Sequence, residues 1–310
     1  MSDLIFHHYP NSPFSEKVRL IFGFKQLRWK SVQVPVIMPK PDVVALTGGY
    51  RRTPILQIGA DIYCDTALIC DVLERVAPTP SLYPSTQAGI SRALAQLADT
   101  TLFWTAIAYA FQPAGLQSMF AGLPPEQVQA FAADRSAMRA GAPRMPAAEA
   151  TSALTEYLDR LENMLQDGRP YLLGSAATIA DFSVLHPIWY VRRVKSLSAI
   201  LDRAPKLLAW ADRMMALGHG TSEQISSGDA IAVAQAATPI VDESIFIDLH
   251  GIALGEQVTI TPTDYAFDPV AGTLVLASAT ELALRRLDER AGEVVVHFPR
   301  IGFQLKKIAE

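Results

Sequence analysis

The chain has 310 residues, half of them hydrophobic, so it is long enough to form about two or three separate cores. Its formal net charge of −4 provides no general attraction to nucleic acid, which is bound through clustered Lys and Arg. No uncharged apolar stretch reaches the roughly 20 residues that a membrane-spanning helix needs, and no signal-peptide pattern follows Met1. The only cysteines, Cys64 and Cys70, are too few for a disulfide scaffold. We therefore expect a cytoplasmic protein without nucleic-acid or membrane partners.

The first 80 residues alternate between strand and helix patterns. Apolar runs predict strands over residues 4–8, 29–34, 54–58 and 61–63, and helical spacing predicts helices over 13–25 and 65–76. A βαβ unit followed by a hairpin and a final helix is typical of a small α/β sheet domain, which we assign to residues 1–80. Prolines at 78 and 80 then end the helix and open a linker.

Helical periodicity dominates the next part of the chain. Residues 87–111 predict one long central helix, a second helix begins near Pro125, and residues 147–165 predict a third. Thr178-Ile179-Ala180-Asp181 has the S/T-x-x-D/E form of a helix start. We assign residues 86–220 to an all-α helical bundle domain, followed by a further helix ending near residue 237.

The pattern changes again in residues 240–310. Strands are predicted over 245–249, 257–261, 273–276 and 294–298, while residues 281–288 fit strand and helix spacing about equally. This segment has 6 Lys or Arg against 11 Asp or Glu, which argues against an oligonucleotide-binding barrel. We predict a small C-terminal β-rich barrel or sandwich, and for the whole chain an α+β multidomain fold.

Ser12 stands between the first predicted strand and the first helix. It is placed to cap that helix, with Pro13 at the first helical position. A hydroxyl and a helix N-terminus can together stabilise a thiolate, each by about 1 kcal/mol. Tyr9, at the end of the strand, and Ser15 are alternative hydrogen-bond donors. Capping alone would also explain a serine here.

Four motifs in order resemble the glutathione S-transferase superfamily over residues 1–220. They are Ser12-Pro13-Phe14 with Lys17-Val18-Arg19, Arg52-Thr53-Pro54-Ile55-Leu56, Asp65-Thr66, and Thr178-Ile179-Ala180-Asp181. The resemblance implies a thioredoxin-like N-terminal domain in which Ser12 contacts the sulfur of glutathione. It also implies that Asp65 and Thr66 hold the γ-glutamyl end, although the family more often has glutamate at the first of these positions.

The resemblance implies a cis peptide bond before Pro54. The main chain of Thr53 would then pair with the cysteinyl part of glutathione like one more strand, whereas a trans proline would simply open the strand. The family usually has an aliphatic residue where Thr53 stands. Arg51 and Arg52 could pair with the glycyl carboxylate or lie in a solvated loop.

The remaining candidates are weaker. Cys64 and Cys70 are expected to be inert packing residues, and the six histidines have no metal-ligand spacing, so we predict no metal. A pocket between the first two domains would bind the second substrate. Its candidate lining, which could equally be helix-bundle core, is Phe103, Trp104, Tyr109, Phe111 and Phe120.

Three functional hypotheses follow. The first is a serine-type glutathione transferase-like enzyme, with glutathione as co-substrate and a small apolar electrophile as the second substrate. The second is a glutathione-binding or interaction protein with little turnover. The third, a glutathione-dependent reductase or peroxidase, is disfavoured because Ser12 stands where such enzymes have cysteine. The resemblance also implies a homodimer.

Overall fold

A computed structural model describes residues 3–241, 246–247 and 249–308. The N-terminal elements are β1 (Ile5–His8), α1 (Pro13–Phe24), β2 (Arg28–Gln33), α2 (Pro41–Thr47), β3 (Ile55–Ile58), β4 (Asp61–Cys64) and α3 (Thr66–Val76). β1 and β2 are parallel, as a helical crossover requires, whereas β3 is antiparallel to both β1 and β4. This arrangement confirms the predicted thioredoxin-like fold.

The helical region confirms the predicted all-α domain. It contains α4 (Ala88–Leu97), a π-helical turn (Ala98–Leu102), α5 (Phe103–Ala110), α6 (Pro113–Met119), α7 (Pro125–Arg139), α8 (Ala147–Met164), α9 (Ile179–Arg193), a 3-10 helix (Ser198–Arg203) and α10 (Pro205–Met215). The helix predicted over 87–111 is therefore interrupted by one wider turn. Thr178 and Asp181 form the expected capping box, and Asp181 also accepts a hydrogen bond from the indole of Trp210 at 3.0 Å.

A short strand and a helix connect the helical domain to the C-terminal region. β5 (Thr221–Gln224) pairs in parallel with β2, and α11 (Ser227–Ala236) follows. All four residues of β5 are exposed and none is apolar, so the sequence pattern gave no indication of a strand there.

Five strands form the C-terminal β-rich region: β6 (Gln257–Pro262), β7 (Val270–Ala277), β8 (Glu281–Asp288), β9 (Gly292–Pro299) and β10 (Phe303–Lys307). Neighbouring strands are antiparallel in the order β10-β6-β7-β8-β9. Residues 300–302 connect β9 to β10, which lie at opposite ends of this order, so the five strands are rolled toward one another. The strand predicted over 245–249 includes residues outside the described ranges.

The five C-terminal strands also form hydrogen bonds with the sheet of the thioredoxin-like domain. β9 pairs in parallel with β4, so one ten-stranded sheet runs in the order β10-β6-β7-β8-β9-β4-β3-β1-β2-β5. Ile62 of β4 shares a buried core with Phe298 of β9 and with Tyr50, which precedes β3. A second core lies between the thioredoxin-like domain and the helices, and includes Phe22 and Phe182.

Candidate functional site

Strand register brings the three predicted N-terminal segments to one edge of the sheet. His7 of β1 lies opposite Ile55 of β3, and Ile55 lies opposite Cys64 of β4. The residues just beyond these pairs therefore share an edge. The segments at that edge are Tyr9 to Ser12, Thr53-Pro54 and Asp65-Thr66.

Ser12 caps α1, as its position in the sequence predicts. Its Oγ accepts a hydrogen bond from the main-chain N–H of Ser15 at 3.1 Å. Within the described ranges the Ser12 hydroxyl has no acceptor of its own, so its proton is free to donate to an anion. Ser12 exposes only 1% of its surface, and a ligand can reach its hydroxyl only if neighbouring groups move.

The two alternative donors lie in different surroundings. Ser15 is fully buried, and its Oγ is without a hydrogen-bond partner in the described part of the chain. Tyr9 is half-buried at the end of β1, and the ammonium of Lys40 lies 5.9 Å from the centre of its ring. Tyr9 is therefore the more accessible of the two.

Lys40 joins the site although the sequence analysis did not select it. Its Nζ donates to Oγ1 of Thr53 at 3.1 Å and to the carbonyl of Arg51 at 3.3 Å. Burial, aided by the positive charge of Arg135, lowers the pKa of Lys40 to about 8. The only local signal is a lysine between two prolines at the start of α2, which is typical of a turn rather than of a binding site.

The peptide bond between Thr53 and Pro54 is cis. The main-chain N–H and C=O of Thr53 form no hydrogen bond within the described ranges, so both remain available to an extended ligand. This is the arrangement that the resemblance implied for residue 53.

Asp65 and Thr66 begin α3. A carboxylate oxygen of Asp65 accepts a hydrogen bond from the N–H of Ala67 at 2.9 Å, and Oγ1 of Thr66 accepts one from Lys17 at 3.3 Å. Burial raises the pKa of Asp65, while that hydrogen bond and the charges of Arg52 and Lys17 act in the opposite direction. Asp65 thus caps α3 within the electrostatic range of two cations, Arg52 and Lys17.

A buried polar cluster supports the helical side of this edge. The ammonium of Lys17 lies 2.6 Å from a carboxylate oxygen of Asp99, whose other oxygen is 2.9 Å from Nε2 of His186. Asp99 lies in the π-helical turn, so the wider turn occurs where the carboxylate faces α1. Burial would raise the pKa of Asp99, but Lys17 and His186 lower it more.

The two arginines before Thr53 pair with carboxylates of other segments. Arg51 pairs with Asp134 of α7. Arg52 pairs with Asp264 at 2.6 Å and donates to the carbonyl of Tyr265. Both guanidinium groups thus already have acceptors within the chain, so a glycyl carboxylate would have to compete for them.

Residues 263–269, the loop between β6 and β7, cross to the helical domain. The ring of Tyr265 lies 4.8 Å from that of Trp104 on α5, and the N–H of Ala266 donates to the carbonyl of Met138 at 2.7 Å. Together with the contacts to Arg52, these contacts connect the C-terminal strands to both the thioredoxin-like domain and the helical domain. Nothing in the sequence pattern indicates these long-range contacts.

The aromatic candidates for the second-substrate pocket lie in three different places. Tyr109 is buried in the helical core, whereas the buried ring of Phe103 lies 4.6 Å from that of Phe14 and 5.7 Å from that of His186. Phe111 and Phe120 line a cavity of about 490 Å³ beside α6 and α7. Trp104 meets the 263–269 loop instead.

The cysteines are buried and protonated. Burial raises the pKa of Cys64 well above its usual value and that of Cys70 to about 12, so neither is a ready thiolate nucleophile. Within the described ranges, no group of three or more His, Cys, Asp or Glu side chains is arranged to hold a metal ion.

Comparison with known proteins gives two family matches. Residues 6–81 match the glutathione S-transferase N-terminal domain, and residues 125–213 match the glutathione S-transferase C-terminal domain. A GST-like protein from Pseudomonas syringae has 42% sequence identity with this chain and a TM-score of 0.82, over 99% of this chain and 100% of that one. The chain therefore belongs to the glutathione S-transferase superfamily.

More distant structures share the fold over about the first two-thirds of the chain. A beta-etherase from Sphingobium is 20% identical over 70% of this chain and 96% of its own, with a TM-score of 0.52. A tau-class glutathione S-transferase from mango, Mangifera indica, is 16% identical over 69% and 89%, with a TM-score of 0.51. A search of curated proteins gave no match. No helix in the described ranges is both long and apolar enough to span a membrane.

Proposed function

We propose that this protein is a glutathione transferase in which Ser12 activates the thiol of glutathione for attack on an electrophilic small molecule. The observation that carries the proposal is the shared strand edge, where a free serine proton, an unpaired Thr53 main chain and the N-terminus of α3 lie together. These groups match the thiol, peptide and carboxylate of glutathione in chemical type. Lys40 adds a cation for a second carboxylate.

The chemistry assigned to Ser12 is stabilisation of the thiolate. Its O–H would donate to the sulfur while the N-terminus of α1 adds positive potential, each contributing about 1 kcal/mol. Because one pKa unit corresponds to about 1.4 kcal/mol, the two together would lower the thiol pKa by about one to two units from roughly 8.5. The thiol proton would pass to solvent water. The thiolate would then form a bond from sulfur to the electrophilic carbon of the second substrate, while the leaving group of that substrate departs with the electron pair of the bond that breaks.

A second candidate function is binding of glutathione with little turnover. It is favoured by the 1% exposure of Ser12 and by the engagement of Arg52 with the 263–269 loop, since both describe a closed site. The two candidates differ in catalysis rather than in ligand.

Titration calorimetry with glutathione, combined with conjugation of chlorodinitrobenzene, tests both candidates. For an enzyme, Ser12→Ala should lower turnover about tenfold to a hundredfold with glutathione binding retained. Ser12→Thr should restore much of the rate, because it keeps both cap and hydroxyl. Ser15→Ala is the matched control, since the Oγ that it removes has no partner. A larger loss in Tyr9→Phe than in Ser12→Ala would transfer the donor role to Tyr9.

Other outcomes separate the candidates. Binding of glutathione without turnover on a broad panel of electrophiles would favour the second candidate. Failure of the wild type to bind glutathione would refute both. We further propose a cytoplasmic location, in keeping with two reduced cysteines, and a homodimer, which light scattering on the purified chain would test.

A further inference from the structure

The cavity beside α6 and α7 is built from the helical domain alone. Its volume of about 490 Å³ lies within the range of about 300–1,000 Å³ usual for small-molecule sites. Three phenylalanines form its apolar wall. The rings of Phe111 and Phe131 are stacked at 6.2 Å, and the ring of Phe120 lies 5.2 Å from that of Phe131. Such a wall suits a planar, apolar ligand.

Two arginines line the same cavity, and none of the described residues that line it carries a carboxylate. Arg144 is exposed and has no hydrogen bond or ion pair within the described ranges. Arg135 lies 3.6 Å from Asp134, but that carboxylate is already paired with Arg51. The other partners of Arg135 are all uncharged: a thioether sulfur, a main-chain carbonyl and the hydroxyl of Tyr265. The positive charge at this cavity is therefore incompletely neutralised.

Arg135 also connects the cavity with the strand edge. Its guanidinium interacts with the hydroxyl of Tyr265 and lies within electrostatic range of Tyr9. One of its N–H groups donates to the carbonyl of Val36, in the loop between β2 and α2, at 2.9 Å. An anion held by Arg135 would therefore lie on the side of the cavity that faces the proposed glutathione site.

We propose that this cavity binds an aromatic carboxylate, with its ring against the phenylalanines and its carboxylate between Arg135 and Arg144. The pairing is chemically matched, because guanidinium groups bind carboxylates through two parallel hydrogen bonds. The proposal that such an acid is also the second substrate rests on the proposed function. The proposal that the cavity binds the acid does not depend on that function.

Calorimetry with naphthoate and naphthamide, in the absence of glutathione, tests the inference. The two probes have the same ring and differ in charge. We expect naphthoate to bind about tenfold more tightly at low salt, a preference that decreases as salt is added. Arg144→Gln should weaken naphthoate binding about threefold to tenfold and leave naphthamide binding unchanged. Arg160→Gln, an equal charge change at an exposed residue of α8, is the control.

Equal affinities for the two probes would overturn the inference, as would the failure of both to bind. Arg135→Gln provides a second test at the inner end of the cavity, with its melting temperature measured to verify folding. If neither arginine variant weakens naphthoate binding more than Arg160→Gln does, the acid does not bind here. Glutathione binding is measured separately, so failure of the proposed function leaves this result interpretable.

Discussion

His297 should make the stability of the C-terminal strands depend on pH. It lies on β9 beside β4, with Nδ1 2.7 Å from a carboxylate oxygen of Glu281 and Nε2 3.0 Å from one of Asp61. The ring of Tyr63 stacks on it at 4.5 Å, and Arg75 pairs with Glu281 from the solvent side. An ionised carboxylate accepts hydrogen bonds and cannot donate them. Both ring nitrogens of His297 must therefore donate, which requires a protonated imidazole.

The direction of the effect follows from the pKa of His297. Burial alone would lower it, but Asp61 and Glu281 raise it above the unfolded value of 6.5. The protonated ring therefore contributes its full stabilisation below pH 6.5, and this contribution is lost as the pH rises through the folded-state value. Burial opposes a lowered pKa of Glu281, but His297 and Arg75 lower it overall, so His297 rather than Glu281 is the group that titrates above pH 6.5.

His297→Gln should lower the free energy of unfolding by about 3–5 kcal/mol near pH 6, because two buried carboxylates lose their shared cation. This decrease should be smaller near pH 9, because His297 of the wild type then loses its proton and with it the same cation. Urea unfolding followed by circular dichroism at the two pH values measures the difference, and hydrogen exchange of the β9 amides locates it. His297→Lys keeps a cation and should be less pH-dependent than the wild type. Equal costs for His297→Gln at both pH values would refute this reasoning.

Three further outcomes are expected. Asp99→Asn should lower the free energy of unfolding by about 3–5 kcal/mol, because the buried Lys17 loses its counter-charge. Urea denaturation of the double variant Lys17→Met, Asp99→Leu should show a smaller decrease in the free energy of unfolding, because no buried charge is left unpaired. Tyr265→Ala should increase protease cleavage within residues 263–269, because the contact with Trp104 disappears, whereas Tyr265→Phe should not. Ser15→Ala should change the free energy of unfolding, measured by urea denaturation, by less than about 0.5 kcal/mol, since no hydrogen bond is lost.

Local patterns did not indicate α2 (Pro41–Thr47), but they were sufficient for the other elements of the thioredoxin-like domain. Its strands and helices are short, strongly apolar and separated by clear turns, and the register that gathers Ser12, Thr53 and Asp65 follows from a βαβ unit and a hairpin. The capping box at Thr178 was likewise readable, because both partners lie within one turn of helix.

Contacts between distant parts of the chain could not be predicted from the sequence. Arg52 meets Asp264, which is 212 residues away, and no local pattern encodes such a pair. The pairing of β9 with β4 is hidden for the same reason. Lys40 was missed because its chemistry arises from burial beside Thr53, whereas its neighbours in sequence indicate only a turn.

The parallel pairing of β4 with β9 has a consequence during synthesis. The register joins Asp61 to Val295, so β4 has no partner on its outer side until β9 has left the ribosome. An unpaired strand edge can add strands from other molecules. A nascent chain arrested after the helical domain should therefore depend on chaperones or associate with other copies. The strand that covers this edge, β9, follows both the thioredoxin-like domain and the helical domain in the chain.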